Sequence, residues 1–165
     1  MKKYALALAA LAVVCSSSVS AQTCTANAAF PAVPPGPPVV VNGDSCTATN
    51  QLNLSCSDAN PIGAAADFVY SFTAAGTPNG NASLAPTGWD AYLAIMSGAC
   101  SSASVCPQES EAGGNGVTEM VPFTGLAPGN YFLLISSFAA AANCGPFTLT
   151  LTPTLPVTLQ NFSIE

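Results

Sequence analysis

Phe147-Thr148-Leu149-Thr150-Leu151-Thr152 alternates an apolar with a polar side chain at every step. Successive side chains of a strand point to opposite faces, so this stretch reads as a strand with one buried and one wetted face. Upstream, Tyr131-Phe132-Leu133-Leu134-Ile135 is apolar on both faces, as a strand in the middle of a sheet is. Residues 89–96 put Trp89, Ala91, Leu93 and Ile95 on one side and Asp90, Tyr92, Ala94 and Met96 on the other; Phe68, Tyr70 and Phe72 likewise oppose Val69 and Ser71. Residues 117–123 predict a further strand, which Pro122 confines to an edge or a strand end because proline cannot donate to a ladder. No stretch keeps helical spacing over three turns, so the chain reads as all-β. In Leu126-Ala127-Pro128-Gly129-Asn130, Pro128 presets a turn and Gly129 is expected to take the positive φ that follows it. The spacing of strands and turns predicts a jelly-roll-like antiparallel β-sandwich of about eight strands.

Outside these strands the chain divides by composition. Met1-Lys2-Lys3, an apolar run over residues 4–14 and small residues up to Ala21 match the zones of a secretory signal peptide, which places residues 1–21 as an export address. The apolar run is too short to cross a bilayer as a helix, which takes about 20 residues. Residues 22–38 follow as a lead-in whose prolines favour extended polyproline II. The sandwich is expected over residues 39–153, and residues 154–165 read as a tail strand. There Val157 and Leu159 alternate in one phase and Phe162 and Ile164 in the other, as a bulge near Gln160-Asn161 would allow.

Charge excludes whole classes of function. The sequence holds two basic residues, Lys2 and Lys3, no histidine, and eight acidic residues. Beyond the leader nothing can neutralise phosphates, so nucleic acid is excluded as a partner, and anionic lipid surfaces with it. Nucleophilic catalysis lacks a base for want of His and Lys. Glu109 and Glu111 could formally serve as a glycosidase pair, but Pro107-Gln108-Glu109-Ser110-Glu111-Ala112-Gly113-Gly114-Asn115-Gly116 reads as a solvated loop, where no desolvation raises a pKa. Its glycines form no phosphate loop, since neither a lysine nor a helix follows, and a hairpin connection accounts for them. The reading is therefore not an enzyme.

Six cysteines follow the leader, an even number that in an exported chain predicts three disulfides, and the sequence permits 15 pairings. Cys100 and Cys106 bracket a short loop and are expected to pair; Cys46 with Cys56 and Cys24 with Cys144 complete that assignment. No cofactor is required. Oxygen-rich carboxylates suit calcium, and Asp90, Glu109 and Glu111 are the candidates to hold it if their loop folds back. Trp89 falls on the apolar side of its strand and is expected in the core, which leaves Tyr92, on the side of Asp90, as the exposed aromatic that a ligand would stack upon.

Four segments taken together, Asp67-Phe68-Val69-Tyr70-Ser71-Phe72, Trp89-Asp90-Ala91-Tyr92-Leu93-Ala94-Ile95, residues 126–135 and Gly145-Pro146-Phe147-Thr148-Leu149-Thr150-Leu151, resemble the bacterial pre-peptidase C-terminal domain and its cysteine-bearing secreted relatives over residues 40–153. The resemblance implies a jelly-roll-like sandwich without catalysis of its own, appended to exported proteins and in some cases binding calcium or a substrate polymer. Two departures stand out. No protease domain accompanies it here, and Glu109 and Glu111 occupy the loop where relatives often carry a run of Asp. The expected role is thus a secreted, acidic binding or surface-associated module whose partner is an extracellular polymer, a cell-surface component or a second copy of itself. The alternative is an assembly protein that packs through strand edges and its tail, by adding a strand to a neighbour's sheet.

Overall fold

The computed structural model describes residues 22–30, 37–52, 65–74, 79–101, 105–138 and 143–154. The expected leader, most of the proline run, Cys56 and tail residues 155–165 lie outside the described residues. Among the described residues nine strands follow one another: β1 (Ala28–Ala29), β2 (Val39–Asp44), β3 (Phe68–Ala74), β4 (Asn79–Pro86), β5 (Ala91–Ser97), β6 (Val105–Ser110), β7 (Glu119–Pro122), β8 (Gly129–Ser137) and β9 (Pro146–Thr154). A 3-10 turn, Ser45–Thr47, follows β2, its first turn capped by Asp44, which accepts from the Cys46 N–H at 2.9 Å.

The strands form two sheets in the orders β1-β3-β8-β5-β6 and β2-β9-β4-β7. The all-β sandwich expected from the sequence is what forms. Every pairing is antiparallel except the shortest: β1 runs parallel to β3, Ala28 opposite Tyr70 and Ala29 opposite Ser71. That contact belongs to the N-terminal lead-in, which also sends Phe30 into the core against Tyr70, ring centroids 4.8 Å apart.

Between the sheets lies the main core, filled by the inward side of each strand: Tyr70 and Phe72 from β3, Leu93 and Ile95 from β5, Leu133 and Ile135 from β8, and Phe147, Leu149 and Leu151 from β9. Two inward positions of the four-stranded sheet are glycines for a steric reason. A Cβ on Gly43 would collide with the Phe147 ring, and one on Gly80 with the Thr152 carbonyl and the Phe123 ring. Trp89 is buried here as expected, and its Nε1 donates to the Pro146 carbonyl at 3.0 Å.

The doubly apolar strand is indeed central: β8 pairs with β3 on one side and β5 on the other. The expected edge strand near Pro122 is β7, bonded only to β4. Pro153 does not end β9. There the strand faces Gly80 of β4, while the β2 ladder stops at Leu151, so proline sits where no partner asks for its N–H. The turn before β8 differs from expectation: Gly129 already belongs to the strand, opposite Ala74, and the positive φ falls on Gly125, at +69°. Tyr131 locks this turn by donating its hydroxyl to the Ala127 carbonyl at 2.9 Å.

The disulfides correct the expected pairings. Cys24 joins Cys100 and Cys46 joins Cys144; Cys106 is disulfide-bonded as well, but not to Cys100. Ladder geometry explains the second bridge. Asp44 faces Pro146, Ser45 N donates to the Gly145 carbonyl at 3.0 Å, and the next residues, Cys46 and Cys144, arrive opposite each other with Cα atoms 5.0 Å apart. Cys24 is brought to Cys100 in the same way, by a backbone bond from Cys24 N to the Cys100 carbonyl at 2.9 Å and the neighbouring bridge from Thr23 to Ser101.

Candidate functional site

Two surfaces and one group of carboxylates compete for the role of site, and the outer faces of the two sheets differ in kind. On the five-stranded sheet the outward residues Val69, Tyr92, Ala94, Met96 and Leu134 form a second buried cluster with Leu52, and Cys24, Ala26, Cys100, Cys106 and Phe132 pack against it. The outside of this sheet is thus a second core, covered by the N-terminal segment that the Cys24–Cys100 bridge ties down.

Tyr92 belongs to that core and not to a binding surface, contrary to the sequence reading. It is 4% exposed and donates its hydroxyl to Glu109 Oε2 at 2.5 Å. Burial, the hydrogen bond to Glu109 and that carboxylate's charge all push its phenol well above the ordinary tyrosine range. Glu109 in turn is no loop residue: it stands on β6, opposite Ala94. The expected trio Asp90, Glu109 and Glu111 is therefore not assembled, and among the described residues no three acidic or cysteine side chains stand close enough to hold a metal ion as placed.

A different carboxylate is brought in instead. Glu119 opens β7 on the inward side, in phase with Val121, and is fully buried at 0% exposure. Its Oε2 accepts from Ser110 Oγ at 2.6 Å and from Ala112 N at 2.7 Å, while Oε1 is buried with no partner. Glu111 lies between those two donors in sequence, exposed; its carboxyl is held above the ordinary value by the desolvation it suffers, then by the charges of Asp90 and Glu119. Asp90, half-buried before β5, likewise has a buried Oδ1 without a partner. The glycine-rich stretch after β6 is not a hairpin but the crossover from one sheet to the other. Gly113, Gly114 and Gly116 take positive φ in it, and Gly116 N donates to the Trp89 carbonyl at 3.0 Å, which folds the crossover onto the start of β5.

The remaining buried acid, Asp67, has structural partners. Its Oδ2 accepts from Gln51 N and Leu52 N, both at 2.7 Å, and its Oδ1 from Ser136 Oγ at 2.8 Å. Desolvation raises its pKa despite these bonds, which act in the opposite direction. A cavity of about 350 Å³ beside the end of β1 is lined by Phe30, Phe72, Tyr131 and Phe132 with Thr73 and Asn130, and no carboxylate faces it.

Among the described residues nothing covers the outer face of the four-stranded sheet. One row across it reads Val40, Thr150, Ser83 and Met120, and the flanking rows add Asn42, Thr148 and Ala85 on one side and Thr152, Asn81 and Pro122 on the other. Val40 and Met120 are 56% and 55% exposed, the largest exposures among the sizeable apolar side chains described. The one acid at its corner, Asp44, is engaged as the cap of the 3-10 turn.

No family model matches the chain, and no curated protein does. Among solved structures the chain is similar to the pre-peptidase C-terminal domain of a collagenase from Bacillus anthracis, at 15% identity over 78% of this chain and 98% of that one, with a TM-score of 0.45.

Proposed function

We propose that this chain is a non-catalytic module working outside the cell, and that the outer face of its four-stranded sheet holds a neutral, hydroxyl-rich polymer. The observation that carries the reading is the composition of that face: hydroxyls, amides and small apolar groups at strand spacing, about 4.8 Å across and about 6.7 Å along each strand, with no free charge. Such a lattice can exchange hydrogen bonds with sugar hydroxyls and lay Val40 and Met120 on the apolar faces of the rings. An anionic polymer would find no counter-charge, since the sequence has no basic residue after Lys3. Oxidised Cys24–Cys100 and Cys46–Cys144 support a location in an oxidising compartment, and no helix among the described residues is long and apolar enough to cross a membrane. The non-catalytic reading draws support from the carboxylates: Asp44, Asp67 and Glu109 are each engaged by hydrogen bonds within the fold, as is one oxygen of Glu119.

The test is co-sedimentation with insoluble neutral polysaccharide, microcrystalline cellulose and chitin being the probes. Depletion of the protein from the supernatant is expected, and it should persist at high salt because no ion pairs are involved. Protein that stays in solution with both probes would contradict the reading. Protein that pellets without any polymer would favour the assembly alternative, in which edge strand β2, free of proline and of charge before Asp44, takes up a neighbour's strand.

A further inference from the structure

Among the described residues the two sheets end in four edge strands, and three of them are blunted. β1 is two residues long. β6 carries Pro107 and a register shift against β5 between Ile95 and Ser97. β7 is four residues long, holds Pro122 and turns the carboxylate of Glu119 inward. Short edges, prolines, irregular registers and inward charges are the devices that keep other strands from adding to a sheet. β2 has none of these. Its six residues pair with β9 without a shift, contain no proline and carry no charge before Asp44, and among the described residues only β9 pairs with it. Val39, Val40 and Val41 are β-branched, the residue type that favours a strand.

The direction of its free groups follows from the ladder. Ser45 N donates to the Gly145 carbonyl at 3.0 Å, so Ser45 faces β9, and along a strand the side to which N–H and C=O point alternates. Gly43, Val41 and Val39 therefore bond β9 as well, while Val40, Asn42 and Asp44 turn their backbone groups outward. The Asp44 carbonyl is taken by Thr47 Oγ1 at 2.7 Å, which ends the open stretch at Asn42. Pro38, with no N–H to give, ends it on the other side.

We propose that this edge pairs with the same edge of a second copy of the chain, antiparallel and centred on Val41. In that register Val40 and the partner's Asn42 exchange both N–H···O bonds, and the two-fold axis repeats the exchange for Asn42 and the partner's Val40. Val41 meets the partner's Val41 on the core side, and Val39 meets the partner's Gly43, where no side chain competes with it. The two Asp44 carboxylates lie at opposite ends of the contact, about 20 Å apart at strand spacing, where salt screens their repulsion. The two four-stranded sheets then join into one of eight. A two-fold contact closes on itself, so the pair stays soluble, unlike an open array built strand upon strand. It uses the edge of the sheet and not its hydroxyl face, so it and the polymer reading can fail separately.

The experiment is sedimentation velocity of the full chain without polymer, from micromolar to millimolar concentration, on the native chain and on Val40→Pro. An equilibrium between monomer and dimer is expected for the native chain. Val40→Pro removes an outward N–H and leaves every bond between β2 and β9 in place, so the dimer should be lost while the melting temperature holds. Should Val40→Pro not fold, Asn42→Lys reads the same loss by placing a charge on the edge. The register is read by mild oxidation: Val41→Cys should give a disulfide-linked dimer and Val40→Cys should not, since only Val41 meets its own copy. A native chain that stays monomeric at millimolar concentration or grows past the dimer, a dimer that survives substitution of Val40 and Asn42, or cross-linking through Val40→Cys instead of Val41→Cys would overturn the pairing.

Discussion

The two sheets bury similar inner faces but treat their outer faces in opposite ways. On the five-stranded sheet Tyr92, Ala94, Met96 and Leu134 face outward into a second apolar cluster, roofed by the segment at Cys24 and Ala26. On the four-stranded sheet the equivalent layer is Asn42, Ser83, Thr148, Thr150 and Thr152, polar but for the exposed Val40 and Met120, and no described residue covers it. A small domain has few ways to enlarge its core, and this one uses the Cys24–Cys100 disulfide to hold the segment at Cys24 and Ala26 over one sheet. The other sheet stays available. If the four-stranded face is the binding surface proposed above, stability and function are separated spatially, and substitutions on the two faces should have opposite kinds of effect.

The bridges should give the largest effects. Loss of Cys46–Cys144, which closes 98 residues, or of Cys24–Cys100, which closes 76, is expected to cost about 2 to 5 kcal/mol each, because long closed loops restrict the unfolded chain most. Chemical denaturation of the paired alanine variants measures it. Non-reducing peptide mapping should recover both links and find Cys106 bonded too, with Cys56 as its partner. Recovery of a Cys100–Cys106 peptide would break the account of the covered face, which needs Cys100 for Cys24.

Next in size is the contrast between faces. Leu134→Ala, on the covered side and fully buried, should cost about 2 to 5 kcal/mol through lost transfer energy and the cavity it leaves. Thr150→Ala, on the bare side, should stay within about 0.5 to 1 kcal/mol. Equal costs would mean that something covers the four-stranded face.

Asp67 sharpens the comparison through pH, since it anchors Gln51 and Leu52 under the covered face. Its folded pKa lies above the ordinary value near 3.8, so the folded state binds the proton more tightly than the unfolded one. The sign follows: its contribution to stability is fully present below about pH 3.8 and is lost as pH rises through the folded pKa. Melting temperatures of the native chain and Asp67→Asn between pH 3 and 7, taken as a difference, should move toward the variant's favour with rising pH. A small effect, of the size allowed for Thr150→Ala, is expected at Tyr92. Removing only its hydroxyl, Tyr92→Phe, should cost about 1 kcal/mol by leaving Glu109 with one partner fewer, and should not alter polymer binding.

The same contrast explains what the sequence could and could not say. Phe147 to Thr152 was legible because β9 is half-buried, and period two follows directly from one wet face. Tyr92 was misplaced because its strand is buried twice over, by a segment nearly seventy residues upstream, and alternation cannot report a cover that distant. The signal was nonetheless present: Ala91-Tyr92-Leu93-Ala94-Ile95-Met96 contains no charged residue and no small polar one, the mark of a strand without a wet face. Glu119 could have been found by phase, since it shares a side with Val121 and Phe123 and so points inward with them. The bridges were not legible, because loop length favours Cys100 with Cys106 whereas the actual partners are set by ladder continuations known only once β2 is laid against β9.

The claim that the bare sheet face is the working surface meets its most direct test in a pair of charge insertions, Thr150→Glu at the centre of the four-stranded face and Thr73→Glu at an exposed position of the other sheet. Both are measured by co-sedimentation with microcrystalline cellulose and chitin, with melting temperature as the check on folding. The account predicts that Thr150→Glu stays in the supernatant at an unchanged melting temperature while Thr73→Glu pellets like the native chain. Equal pelleting of both variants would contradict it.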